Sequence, residues 1–150
     1  MAGLRFLIGL TLLVACTTNQ RPNEDRANTP ARADSAVSLA SSVQVEVGAN
    51  DVRLVFHITN PSDRPVVLEF SSGQRYDFAI RNAAGDVWRW SAAQSFMQAL
   101  GTETIPAGGS LRYSETWPSG QRTGSFTATA QLTALNYPIE QRADFEIRQR

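Results

Sequence analysis

The chain contains no lysine. All 14 of its basic side chains are arginine, matched by 14 acidic ones for a formal net charge of +0. That balance leaves no basic stripe to neutralise phosphates, so nucleic-acid binding lacks its leading electrostatic contribution. Cysteine occurs once, at Cys16, which excludes an internal disulfide framework. Histidine occurs once, at His57, which excludes a metal site built on clustered imidazoles. No cofactor and no metal are expected. A nucleophile elbow of the form G-x-S-x-G is missing, and Asp77, Asp86, Glu103 and Glu115 are scattered without the spacing of a working carboxylate pair. A lone histidine on a strand is ordinarily structural, so the chain is not expected to be an enzyme. No repeat with a period of about 20–50 residues is visible, which excludes propellers and solenoids.

Long hydrophobic runs are also scarce. The longest opens the chain, in MAGLRFLIGLTLLVAC, where Arg5 precedes an apolar stretch from Phe6 to Val14. That stretch is far shorter than the ~20 residues a spanning helix needs. It suits the apolar core of a secretory signal over residues 1–15. The run ends Leu13-Val14-Ala15-Cys16, which resembles a bacterial lipobox, with the chain's only cysteine where that motif requires it. The resemblance implies lipid on Cys16 and an exported protein, anchored to the cell membrane or outer membrane. With two or more acyl chains, at ~0.8 kcal/mol per buried methylene, such an anchor is stable. Thr17, in place of aspartate, leans toward the outer membrane and its periplasmic face. Residues 17–42 are rich in Thr, Asn, Pro, Ala and Ser, and Arg21, Arg26 and Arg32 offset Glu24, Asp25 and Asp34. Too little apolar surface is available there to offset ordering entropy. Residues 16–42 therefore read as the lipidated cysteine and a flexible linker, with a fragment of helix conceivable over 33–40.

From Val43 the pattern changes to period two. Val43, Val45 and Val47 alternate with polar residues, and Val52, Leu54, Phe56 and Ile58 alternate with Arg53, Val55, His57 and Thr59. Such alternation marks half-buried strands. Further strands are expected over 66–70, 76–81, 87–90, 111–117, 125–133 and 143–148, with Phe145 and Ile147 inward. Turns are expected at NPSDRP (60–65), NAAGD (82–86) and IPAGGS (105–110). SAAQSFMQAL (91–100) has helical spacing in Phe96, Met97 and Leu100, with Ser91 as a cap. About eight short strands, with turn signals every 8–12 residues or so, give an all-β, immunoglobulin-like antiparallel β-sandwich over residues 43–150.

The turn NPSDRPV, the segment SGQRYDF, the hairpin GDVWRWS, the turn PAGGSL and the aromatic SETW occur in this order between about residues 52 and 133. In that combination the chain resembles the BsuPI-like domain, a family named for an intracellular proteinase inhibitor. The resemblance implies an immunoglobulin-like sandwich and protease inhibition. Function belongs to sites rather than folds, and a lipidated, exported chain cannot meet a cytosolic protease. The expected partner is therefore a protease or another protein of the cell envelope, with the membrane engaged through lipid on Cys16. A structural or assembly accessory of the envelope, without inhibitory action, is the alternative.

Six residues are candidates for binding: Gln74, Arg75, Tyr76, Asp77, Trp88 and Trp90. In SSGQRYDF, one reading makes Ser71, Ser72 and Gly73 a turn with Gly73 at positive φ, Tyr76 and Phe78 inward, and Arg75 paired weakly with Asp77 on the outer face. The other makes Gln74, Arg75 and Asp77 an adaptable polar surface beside Tyr76. Trp88 and Trp90 lie two apart and share a strand face, as core or as a partner-binding patch. For inhibition, a protruding loop must enter a protease cleft. Loops at 60–65, 71–75, 101–109 and 118–124 are available, and the last offers Arg122 to a trypsin-like pocket. No disulfide braces that loop.

Overall fold

The computed structural model describes residues 37–148. The expected signal segment, Cys16 and the linker up to residue 36 lie outside the described residues. Nine strands follow one another: β1 (Ala40–Val47), β2 (Val52–Thr59), β3 (Val66–Phe70), β4 (Tyr76–Asn82), β5 (Gly85–Arg89), β6 (Gly101–Ile105), β7 (Ser110–Trp117), β8 (Gly124–Leu132) and β9 (Ile139–Ile147). A single 3-10 turn, Trp90–Ala93, separates β5 from β6. Hydrogen bonding arranges them as β1-β2-β7, β3-β6 and β5-β4-β8-β9, every pair antiparallel. The fold is the all-β sandwich that the alternation implies.

Burial follows the alternation. Val52, Leu54, Phe56 and Ile58 of β2 are fully buried, and they join Phe78 and Ile80 of β4 and Phe126, Ala128, Ala130 and Leu132 of β8 in one core. The rings of Phe56 and Phe78 meet edge to face with centroids 6.5 Å apart. Alanines stand opposite the large residues across the β4–β8 pair, Ala130 against Phe78 and Ala128 against Ile80. Small beside large lets the two sheets close without overpacking. Each fully buried side chain of this size stabilises the fold by ~1.5–3 kcal/mol.

Four expectations change. First, a ninth strand joins the eight expected among the described residues. The addition is β6, which lies within the expected loop 101–109. Its Val66↔Ile105 to Phe70↔Gly101 register supplies β3 with a partner. Second, residues 91–100 are not helical. Ser91 gives its hydroxyl and amide to Asp77, and Gln94 leaves the 3-10 turn in an extended conformation, φ −110° and ψ 156°. A helix of ten residues has little stability of its own, so tertiary bonds decide. Third, Ala40 opens β1, so the described part of the 33–40 stretch is not helix, and the first strand starts before Val43. Fourth, β9 begins at Ile139, ahead of residue 143.

The turn after β2 is pinned from within. Asn60 is fully buried; its amide nitrogen donates to the carbonyls of Arg64, Ile105 and Pro106, at 2.7, 3.2 and 3.0 Å. Its Oδ1 accepts from the amide and hydroxyl of Ser62. This one side chain ties NPSDRP to the end of β6. Beyond it, Gly109 closes a turn onto the Pro106 carbonyl at 2.9 Å, with Gly108 at φ +66°. That third turn position calls for positive φ, which glycine takes without cost.

Candidate functional site

A row of aromatic rings crosses the sandwich. Tyr113 of β7 stacks on Tyr76 of β4 at 4.4 Å, Tyr76 stacks on Trp90 at 4.5 Å, and Trp90 meets Phe96 at 5.6 Å. The first two pairs are nearly parallel, at 23° and 18°. Such pairs add ~0.5–1.5 kcal/mol each beyond the area they bury. The row therefore carries order from the sheets out to residues 94–100.

Both tyrosines end on carboxylates. The Tyr76 hydroxyl donates to Glu115 Oε1 at 2.5 Å, and the Tyr113 hydroxyl donates to Glu103 Oε2 at 3.2 Å. Burial, followed by the bond to Glu115, pushes the Tyr76 hydroxyl well above the ordinary tyrosine range. Burial, followed by the charge of Glu103, does the same at Tyr113. Both stay protonated as donors.

The polar residues of SSGQRYDF turn inward, which corrects two details. Arg75 and Asp77 do not pair. Asp77 is buried and accepts from Arg89 Nη1 at 2.8 Å, Ser91 Oγ at 2.8 Å and the Ser91 amide at 3.1 Å. The bond to Asp77 holds the Arg89 guanidinium even more firmly protonated than usual. Arg75 instead lies over the Phe70 ring, 4.3 Å from its centroid, and donates to the Ser72 carbonyl at 2.7 Å. Its Nε is 3.9 Å from Glu103 Oε2. Gly73, in turn, does not adopt positive φ. Its amide donates to the Met97 carbonyl at 2.8 Å, and an added Cβ would meet the Met97 nitrogen only at ordinary contact distance, 3.4 Å.

Arg75, Tyr76, Asp77 and Trp90 thus lie behind residues 91–101, through Gly101, the aromatic row and Ser91. Gln74 is spent locally, its side-chain amide on the Tyr76 carbonyl and its own carbonyl on Thr133 Oγ1. Trp88 stands opposite Ile80, half-buried and packed on the core. Among the described residues no ring contact joins Trp88 to the aromatic row.

What these residues support is the segment 94–100, whose apolar spacing predicts a helix and which is irregular instead. Residues 94–100 are held at Gln94, whose amide donates to the Ser91 carbonyl, at Phe96 by Trp90, and at Met97 by Gly73. At the far end, Arg75 packs beneath Gly101, where a Cβ would lie 2.8 Å from its Nη2. Between these anchors the side chains of Met97 and Leu100 are 77% and 84% exposed. They are the two most exposed of the large apolar side chains among the described residues. The sequence signal for it was the stretch TETI after Gly101, whose β-branched residues end the apolar segment in a strand.

The loop 118–124 behaves differently. Arg122 donates to the Ser119 carbonyl at 3.0 Å and its guanidinium lies 5.6 Å from the centre of the Trp117 ring. His57 faces Ser42 and Arg112 on the neighbouring strands, so no carboxylate stands opposite it. Neither the open hollow of about 570 Å³ beside Phe126 and Phe145 nor the one of about 760 Å³ beside Asn50 and Gly120 is lined by His57. Among the described residues, no group of three or more His, Cys, Asp or Glu side chains is placed to hold a metal ion, and no helix is long and apolar enough to cross a membrane.

The family model described as BsuPI, intracellular proteinase inhibitor, matches residues 39–137. No curated protein matches the chain. Among solved structures, a β-glucosidase from Kluyveromyces marxianus is 8% identical at a TM-score of 0.43, over 76% of this chain and 15% of that one. R. palustris CsgH is 16% identical at 0.39, over 71% and 92%. The putative ApaA protein from Bordetella pertussis is 17% identical at 0.40, over 73% and 92%. This chain therefore spans only a small part of the glucosidase and most of the other two.

Proposed function

We propose, from the premise that this chain belongs to the BsuPI family of intracellular proteinase inhibitors, that its sandwich is a non-enzymatic module that binds a proteinase and blocks its cleft. The observation that carries this reading is residues 94–100, an irregular segment strapped to the fold and presenting Met97 and Leu100 to solvent. Binding loops are tight when their ordering cost is met before the partner arrives. Here backbone bonds and stacked rings supply that order in a chain whose single cysteine forms no internal disulfide.

The test is a titration of the purified full chain against a panel of endopeptidases. At least one should lose turnover at stoichiometric concentration. Unaltered turnover across the panel overturns inhibition and leaves the envelope-accessory role. In the same reading, the lipobox pattern at residues 13–16 supports lipid on Cys16 and display beyond the membrane, so the target is a proteinase of that compartment. Metabolic labelling with a radioactive fatty acid checks this: label should enter the wild-type chain and be lost in Cys16→Ala, and an unlabelled wild type rules it out.

A further inference from the structure

We infer that Met97 is the side chain that fills the primary specificity pocket of the target proteinase, that this pocket is apolar, and that the segment occupies the cleft without being cut. This inference rests on the inhibitory reading above.

Three observations lead to it. The first is the choice of side chain. Of the loops available for insertion, 118–124 turns its one cation back onto Trp117 and Ser119, and 71–75 spends Gln74 and Arg75 on local bonds. Residues 94–100 offer the two most exposed long apolar side chains, at 77% and 84%, ahead of Leu135 in the loop after β8 at 61%. An acidic, trypsin-type pocket has no partner there, whereas an apolar pocket does. Methionine is unbranched and adaptable, so it seats in irregular apolar pockets.

The second is the choice between Met97 and Leu100. Leu100 precedes Gly101, the first residue of β6, and is tied to the sheet's own geometry. Met97 lies mid-segment, with Phe96 anchored on Trp90 on one side and its own carbonyl anchored on Gly73. It is the exposed side chain whose backbone is fixed at the same residue.

The third concerns cleavage. A proteinase attacks a carbonyl whose oxygen sits among donors of the enzyme's oxyanion hole. The Met97 carbonyl is already engaged by the Gly73 amide at 2.8 Å and faces the inhibitor's own body. The side chain can enter a pocket while the carbonyl following it is withheld. The segment then plugs the cleft instead of acting as a slow substrate.

The experiment uses the full chain, a chymotrypsin-type and a trypsin-type serine proteinase, and the variants Met97→Asp, Met97→Arg and Arg122→Ala. Wild type should inhibit the chymotrypsin-type enzyme. Met97→Asp should weaken that inhibition by about 100-fold or more, the scale of a central hot-spot residue. Met97→Arg should gain inhibition of the trypsin-type enzyme, and Arg122→Ala should match wild type. After prolonged incubation, mass spectrometry should find the Met97–Gln98 bond intact. Because Met97 is exposed, both Met97 variants should unfold at the wild-type temperature, and Arg122→Ala slightly below it. If wild type inhibits but Met97→Asp inhibits equally well, the assignment of Met97 is wrong while the inhibitory reading stands. Rapid cleavage after Met97 overturns the plug. No inhibition by wild type of either enzyme or of the wider panel removes the inhibitory reading itself.

Discussion

Two loops of this domain solve the problem of staying ordered in opposite ways. The loop 118–124 braces itself. It contains Pro118, Gly120 and Gly124, takes positive φ at both glycines, and folds Arg122 onto Trp117 and the Ser119 carbonyl. Its one external main-chain tie runs from the Gly120 amide to Asn50. The segment 94–100 has no glycine or proline and is braced by others: Ser91, Trp90, Gly73 and Arg75. The difference decides what each loop can show. A loop that uses its own side chains as props has fewer left to offer. A loop held from behind keeps Met97 and Leu100 free.

The comparison breaks first at Trp90, the ring that joins Tyr76 to Phe96. Trp90→Ala should destabilise the domain by about 3 kcal/mol, toward the low end for a large aromatic because Trp90 is only half-buried. Amide exchange should rise sharply over residues 94–100 and stay unchanged over 118–124. Equal loosening of both loops would mean that the aromatic row does not hold the segment. Next in size is Asp77→Ala, which strands the Ser91 amide and hydroxyl and leaves Arg89 with Asp86 as its ion partner. A cost of about 1–3 kcal/mol follows for a buried acceptor with three donors. Asp77→Asn should recover part of it, and thermal unfolding of the pair reads the difference.

Much of the architecture was legible because it rests on alternation. The β2 core positions, the β4 pair Phe78 and Ile80, and the inward phase of β8 are all period-two signals that burial enforces. The site was less legible, because its geometry comes from side chains far apart in sequence. Nothing local tells that the Met97 carbonyl will meet Gly73, or that Ser91 will serve Asp77 rather than cap a helix. The turn chemistry of Ser71-Ser72-Gly73 suggests a positive φ at Gly73, yet what this residue supplies is an amide bond to Met97. Asn60 sat in an obvious turn motif, yet its reach to Ile105 and Pro106 depends on β6, a short strand beside a strong Pro-Gly signal.

Alkaline pH should separate the two regions by a smaller margin. Tyr76 and Tyr113 titrate higher in the folded domain than in an unfolded chain, where tyrosine ionises near ~10. Below that pH both states are neutral and the contribution is complete. As pH rises through ~10, the unfolded chain releases protons that the folded one keeps, and stability falls. A double variant, Tyr76→Phe with Tyr113→Phe, should show a shallower decline between about pH 9.5 and 11. A slope identical to wild type would show that these hydroxyls do not carry the alkaline sensitivity.

The smallest effect belongs to the self-braced loop. Arg122 is exposed, and an exposed cation over an aromatic ring contributes only ~0.5–1 kcal/mol. Its bond to the Ser119 carbonyl adds little, since that carbonyl still accepts from the Arg122 amide when the side chain is removed. Arg122→Ala should therefore lower stability by about 1 kcal/mol at most and raise exchange locally over 118–124, where Gly120 remains tied to Asn50. Residues 94–100 should not respond, because none of their anchors involves this loop. If instead their exchange rises as it does in Trp90→Ala, the two loops form one dynamic unit, and independent bracing is the wrong description of how Met97 is presented.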